Sequence, residues 1–84
     1  MATGMKYVMY DRNGIDTPIL FPPMIKHDNL AMMVVPSGKL ISAGFVMQVD
    51  EGRIEAYGES KSLGLKSRGR EDSKIIEDWL TFSL

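Results

Sequence analysis

The sequence predicts an α+β fold: a small antiparallel sheet of about four strands, built as two hairpins, with a short central helix and a C-terminal amphipathic helix packed on one face. Two regions, residues 5–21 and 40–59, each contain a pair of strand-like segments separated by a turn sequence. Apolar residues recur at helical spacing over 75–80. Because 84 residues have room for one hydrophobic core, we expect a single domain over residues 1–84.

The first hairpin is predicted from an aromatic and β-branched segment followed by a tight turn. Residues 5–10 form the first strand, and Asn13-Gly14 can take the positive φ values of a two-residue turn. The chain returns over residues 15–21, which contain Pro18. Because proline has no backbone N–H to donate, we expect this returning segment to be an edge strand.

A short helix is predicted after the first hairpin. His27, Asp28 and Asn29 offer an N-cap for a helix over residues 29–33, whose methionines are interpreted as core-filling residues. The only histidine of the chain is then expected to be a surface or capping residue. A turn sequence at 36–39 follows.

The second hairpin begins with the clearest strand of the chain. Residues 40–49 alternate, and residues 53–59 alternate in the same way, which predicts two antiparallel partners. A two-residue loop at 51–52 places Val49 opposite Ile54. The core face of the first of these strands is predicted to carry Ile41, Ala43, Phe45, Met47 and Val49.

The C-terminal helix is predicted from its apolar stripe. Glu71 and Asp72 fall in its first turn, where negative charge opposes the positive helix terminus. The stripe consists of Ile75, Ile76, Trp79 and Leu80. We expect Trp79 to be a core residue whose replacement by alanine costs about 3 to 5 kcal/mol.

Composition excludes several classes of function. The formal net charge of −1 argues against nucleic acid as a partner, since such affinity comes from a net basic field. The chain has no cysteine and one histidine, which excludes thiolate zinc sites, disulfides and multi-histidine metal sites. We expect no metal, no cofactor and no catalytic residue.

No membrane segment is predicted either. The longest apolar stretch, residues 30–35, is far shorter than the ~20 residues of a membrane-spanning helix. The first residues lack the basic region of a signal peptide, and Met5 is an alternative start to Met1.

The segment 60–70 is the compositionally odd one, with four cations, three hydroxyls, two glycines and no acid. Just before a helix N-terminus, such a loop can present N–H groups, hydroxyls and arginine forks to an anion. The predicted ligand-binding residues are Ser60, Lys61, Ser62, Lys66, Ser67, Arg68 and Arg70. In the alternative interpretation the loop is solvated, Ser67 caps the helix, and Arg68 or Arg70 pairs with surface carboxylates. The spacing of a P-loop is absent.

The second half of the chain contains Ser-Ala-Gly-Phe-Val at 42–46, a Tyr-Gly-Glu-Ser run at 57–60 with the loop that follows it to residue 68, and Glu71-Asp72. On these segments rests a resemblance to small uncharacterised proteins encoded by bacteria and their phages. It implies a phage or prophage accessory protein, made in the bacterial cytoplasm, that binds a host protein or a small signal molecule. It carries over no functional residue.

Three functions remain open. The first is a binding module whose loop 60–70 receives the anionic group of a small molecule or a partner. The second is a protein–protein adaptor or inhibitor that uses a sheet face or the edge strand 15–21. The third, an enzyme acting on phosphorylated substrates, is the least favoured because no general base is identifiable. A homodimer is also expected, because Val8, Val46 and Tyr57 have no predicted partner within the chain.

Overall fold

The structure, a computed structural model, describes residues 4–34 and 39–83 and has the α+β architecture that the sequence predicts. A four-stranded antiparallel sheet has the order β2-β1-β3-β4. Its strands are β1 (Met5–Arg12), β2 (Ile15–Phe21), β3 (Lys39–Asp50) and β4 (Arg53–Tyr57), and the helices are α1 (His27–Val34) and α2 (Arg70–Ser83). A second small hairpin joins β5 (Glu59–Ser60) to β6 (Leu65–Lys66). The turn predicted at 36–39 lies mainly outside the described residues, as does Met1.

The first hairpin is built as predicted. Asn13 and Gly14 take positive φ values of 55° and 88°, and Arg12 faces Ile15 across the turn. The Asp11 carboxylate accepts a hydrogen bond from the Gly14 N–H at 2.7 Å and so closes the turn. β2 lies at the edge of the sheet, as its proline requires.

The second hairpin has the predicted loop but a different register. Asp50 faces Arg53 across residues 51–52. A register shift at Val49 then places Gln48 opposite Ile54, so the predicted pairing of Val49 with Ile54 is wrong. The reason is a β-bulge, in which two residues of one strand oppose one residue of its neighbour. Val49 is consequently exposed.

Both faces of the sheet are buried, which corrects the single core face expected for β3. On one side, here the α2 face, Tyr7, Met9, Val46 and Ala56 pack with Ile76 of α2. On the other, the α1 face, Val8, Phe21 and Ala43 pack against α1 and the β5–β6 hairpin through Leu30, Leu63 and Leu65. Val8 and Val46 therefore have partners within the chain, and only Tyr57 of the three residues cited for a dimer is exposed.

α2 packs on one face of the sheet as predicted, but Trp79 is not a core residue. Its side chain is 43% exposed, whereas Ile76 is fully buried. Leu80 lines a small cleft with Gly52 and Arg53, so the end of the helix lies beside the β3–β4 turn. The sheet ends there, and the last turns of α2 consequently find less apolar surface to cover.

Candidate functional site

A cleft of about 400 Å³ opens on the α1 face of the sheet, beside the start of α1 and the β5–β6 hairpin. Its volume lies within the range of small-molecule sites. It contains the first three residues of the predicted ligand loop. The cleft is lined by Lys6, Lys26, His27, Phe45, Glu59, Ser60, Lys61 and Ser62.

Cross-strand register explains the floor of the cleft. Lys6 of β1 is paired with Phe21 on one side and with Phe45 on the other, and Phe45 is paired with Tyr57. Directly opposed residues project from the same face of a sheet, so the four side chains form a row, of which Lys6 and Phe45 line the cleft. The Lys6 ammonium donates a hydrogen bond to the carbonyl of Ile25 at 3.1 Å.

His27 forms a wall of the cleft and is buried, which corrects its predicted surface or capping position. Its ring meets those of Phe21 and Phe45 edge to face, with centroids 5.4 and 5.6 Å away. Nε2 lies 2.8 Å from the Gly44 carbonyl oxygen, and since a carbonyl can only accept, Nε2 carries the proton. Aromatic packing and this hydrogen bond together explain why a histidine is buried here.

The remaining wall comes from the predicted loop. Ser60 is buried, and its hydroxyl oxygen accepts a hydrogen bond from the Leu63 N–H at 3.3 Å. The Ser60 and Ser62 hydroxyl oxygens lie 3.3 Å apart. Lys61 is exposed at the rim. With three lysines and Glu59 as its one acid, the lining carries a formal excess of two positive charges.

Two other predicted ligand residues, Ser67 and Arg68, lie in a separate hydrogen-bonded cluster around Asp72. The Asp72 carboxylate is fully buried. Its Oδ2 accepts hydrogen bonds from the Tyr7 hydroxyl at 2.6 Å, the Ser42 hydroxyl at 2.7 Å and the Arg68 N–H at 3.0 Å. Because Tyr7 donates its one proton to Asp72, the Ser67 hydroxyl, 2.7 Å away, donates to the tyrosine oxygen.

The Arg68 guanidinium is surrounded by carboxylates. Its three nitrogens donate to Asp72 at 2.8 Å, Glu71 at 2.9 Å and Asp16 at 3.0 Å. Asp16 belongs to β2, so this side chain ties the start of α2 to the first hairpin. The alternative interpretation expects an arginine of the loop to pair with surface carboxylates; Arg68 does pair with carboxylates, but one of them, Asp72, is buried.

The electrostatics of this cluster follow from its contacts. Burial by itself raises the pKa of Asp72, but hydrogen bonds from Tyr7, from the Arg68 backbone, from Ser42 and from the Arg68 side chain outweigh it and hold the pKa below its usual value. Burial and the hydrogen bond to Asp72 raise the pKa of Tyr7. Burial lowers the pKa of Arg68, but the surrounding carboxylates reverse this and raise it. The carboxylate and the guanidinium are therefore both charged, and the phenol is neutral, at neutral pH.

The last two predicted ligand residues lie outside the cleft. Lys66 is exposed on β6, and Arg70 lines a different groove between β4 and α2. The predicted loop thus contributes one end, residues 60–62, to the cleft. The sequence did not identify Lys6, Lys26 or Phe45 as residues of the site. Strand register and the position of α1, rather than local sequence, bring them to residues 60–62.

Comparison of the chain with family models, with curated proteins and with solved structures finds no match. The resemblance to bacterial and phage proteins therefore stays a prediction. Within residues 4–34 and 39–83, no helix has the length and apolar character needed to cross a lipid bilayer. The same residues contain no group of three His, Asp or Glu side chains that could hold a metal ion.

Proposed function

We propose that the protein is a non-enzymatic binding protein that holds the anionic group of a small ligand in the cleft on the α1 face. The observation that carries this proposal is the convergence of Lys6, Lys26 and Lys61, from three separate parts of the chain, on one concave site. The Ser60 and Ser62 hydroxyls line the same cleft and can donate hydrogen bonds to phosphate or carboxylate oxygens.

The cleft is preferred as the anion site to the end of the predicted loop that contains Arg68. An anion at Arg68 would have to displace carboxylates that already contact all three guanidinium nitrogens. One of those carboxylates, Asp72, is fully buried and would be left without its charged partner. Residues 60–62 have no such competing contacts with acids among the described interactions.

The geometry supports binding rather than catalysis. In the described structure the Ser60 hydroxyl contacts Ser62 and Leu63, and His27 Nε2 is directed to the Gly44 carbonyl. Activation of a serine nucleophile needs a base within hydrogen-bond reach, and these contacts do not supply one.

A protein–protein adaptor is the second candidate, and exposed methionines favour it. Met24, Met32 and Met33 are 75 to 81% exposed, which corrects the core-filling interpretation of the last two. Methionine side chains adapt to varied partner surfaces. An adaptor was predicted to use a sheet face or the edge strand. Both sheet faces are covered, so the edge strand β2 is the surface that remains.

The cellular setting is proposed from the sequence resemblance alone. It is that of a phage or prophage accessory protein acting in the bacterial cytoplasm, with a host protein as the alternative partner to a small molecule. We also propose a homodimer, on the separate ground that the apolar side chains of Tyr57, Met32 and Met33 are exposed.

The test is calorimetric titration with inorganic phosphate and pyrophosphate at fixed ionic strength. Two double variants each remove two positive charges: Lys26→Gln with Lys61→Gln inside the cleft, and Lys66→Gln with Arg70→Gln outside it. We expect the cleft variant to lose at least about tenfold in affinity, since charge-assisted hydrogen bonds contribute about 1.5 to 3 kcal/mol each. The matched control should change less than about twofold.

The two variants also show whether the anion binds in the cleft or at the other end of the predicted loop. A larger loss in the control variant would place the anion near residues 66–70 and overturn the proposal for the cleft. Absence of binding to the wild-type protein by either anion would favour the adaptor.

A further inference from the structure

The cleft is larger and more apolar than an inorganic anion requires. Its volume is about 400 Å³, and it opens broadly to solvent. A phosphate group has five heavy atoms and would fill a small part of it. Most of the lining surface comes from apolar atoms, although Phe45 is the one apolar residue among the described residues of the lining.

The apolar part of the cleft is aromatic and held in place. Phe45 packs edge to face on His27 and contacts Tyr57 with centroids 5.8 Å apart. His27 is itself fixed by its hydrogen bond to the Gly44 carbonyl. A rigid aromatic surface of this kind favours a flat apolar group, which needs little rearrangement of the protein to pack against it.

The polar groups of the cleft lie around the aromatic surface of Phe45 and His27. Lys26 and Lys61 are exposed, and Ser62 is exposed beside the buried Ser60. The methylene stem of Lys6 lies next to Phe45 in the cross-strand row, while its ammonium is directed to the Ile25 carbonyl. An apolar body can therefore lie against Phe45 while its charged end reaches the lysines.

We infer that the ligand is an amphipathic anion: an aromatic or similarly flat group that carries a phosphate or a carboxylate. The flat group packs on Phe45 and the lysine stem, and the anion binds Lys26, Lys61 and the serine hydroxyls. This inference rests on the proposed function, because it assigns the remaining chemistry of the same cleft.

The experiment compares phenyl phosphate, inorganic phosphate and phenol by calorimetry. We expect phenyl phosphate to bind about tenfold or more tightly than inorganic phosphate, because aromatic packing and apolar burial add to the shared ionic contacts. Phenol should bind more weakly than phenyl phosphate, because it lacks the anion. Saturation-transfer NMR should show transfer from the protein to the ring protons of phenyl phosphate.

Two variants localise the effect. Phe45→Leu should bring the affinity for phenyl phosphate to within about twofold of that for inorganic phosphate. Tyr10→Leu removes an aromatic ring at the other end of β1, outside the cleft, and should leave the preference in place. If Phe45→Leu does not fold, the ring-proton saturation transfer and the affinity ratio of the wild-type protein decide the question.

The outcomes distinguish this inference from the proposed function. Equal affinity of the wild-type protein for the two phosphates would overturn the amphipathic ligand while leaving an anion site intact. A preference that survives Phe45→Leu would also overturn it. Failure of both phosphates to bind would remove the anion site itself.

Discussion

Asp72 brings a negative charge into the protein interior, where hydrogen-bond donors and the Arg68 guanidinium surround it. Both carboxylate oxygens are hydrogen-bonded, and one of them contacts the Arg68 guanidinium. No buried side-chain nitrogen or oxygen in the described residues lacks a partner. A buried charge is tolerated under these conditions, but it depends on every partner being present.

Replacing Asp72 by asparagine should destabilise the fold by about 3 to 5 kcal/mol, the usual range when one member of a buried ion pair is removed. Asparagine keeps the shape but presents two amide protons to groups that donate. Asp78→Asn, on an exposed position of the same helix, is the matched control and should change stability by less than about 0.5 kcal/mol. Urea unfolding measures both, and equal stability of the two variants would contradict the role given to Asp72.

The pH dependence of stability has a definite sign. The pKa of Asp72 is lower in the folded protein than its ordinary value of 3.8. Such a group stabilises the fold above its unfolded pKa, and the stabilisation is lost as pH falls through the folded pKa. We therefore expect the ¹³C carboxyl resonance of Asp72 to titrate below pH 3.8, with urea stability falling as the pH drops below that value. A midpoint at or above 3.8 would show that burial outweighs the hydrogen bonds.

At the scale of the elements, α2 does more than cover one face of the sheet. β4 is an edge strand, and two of its N–H groups donate to side chains of the helix. Ile54 donates to the Glu77 carboxylate at 2.9 Å, and Ala56 donates to the Ser73 hydroxyl oxygen at 2.8 Å. Unpaired strand edges are templates for association with other chains, so these contacts protect the edge at two positions.

Glu77→Ala should expose the Ile54 amide and increase its hydrogen-exchange rate by at least about tenfold, since hydrogen bonds to charged groups contribute about 1.5 to 3 kcal/mol. Glu77→Gln retains an acceptor oxygen and should preserve most of the protection. The Ala56 amide, bonded to Ser73, is an internal reference. Equal exchange of Ile54 in both variants would mean that Glu77 does not protect the edge in solution.

The elements could largely be predicted from sequence because their signals are local. Asn13-Gly14 specifies a tight turn, and Pro18 confines its strand to an edge. The bulge at Val49 has no comparable signal, because the packing of both hairpin strands decides it. The exposure of Trp79 could not be predicted for a related reason. Helical spacing identifies the apolar face of a helix, but the tertiary structure decides how much of that face the sheet covers.

Only one end of the cleft could be predicted from the sequence. Residues 60–62 stand out by composition, whereas Lys6 and Phe45 belong to alternating strand patterns that also suit an ordinary sheet. Their meeting at the cleft depends on register between strands that are about 40 residues apart. The ion pair between Arg68 and Asp16 could not be predicted for the same reason. Asp16 lies in β2, and the tertiary structure brings it to Arg68.

At the scale of the whole molecule, we predict that the protein forms a homodimer. Val8 and Val46, two of the three residues that predict this association, are buried within the chain, so the prediction depends on the exposed apolar side chains of Tyr57, Met32 and Met33. Light scattering should give about twice the 9.4 kDa mass of one chain. Met32→Lys with Met33→Lys should then shift the protein to the monomer, because it introduces like charges into the interface. A monomeric wild-type protein at micromolar concentration would contradict the prediction.

We propose that one cleft, formed by segments distant in sequence, receives an anion. The most direct measurement is a ¹H–¹⁵N NMR titration with inorganic phosphate, compared with sodium chloride at the same ionic strength. We expect phosphate-specific shifts of the amides at 26–27 and 59–62 together, with the amides at 66–70 unchanged. Shifts confined to 66–70, or no difference between phosphate and chloride, would contradict it.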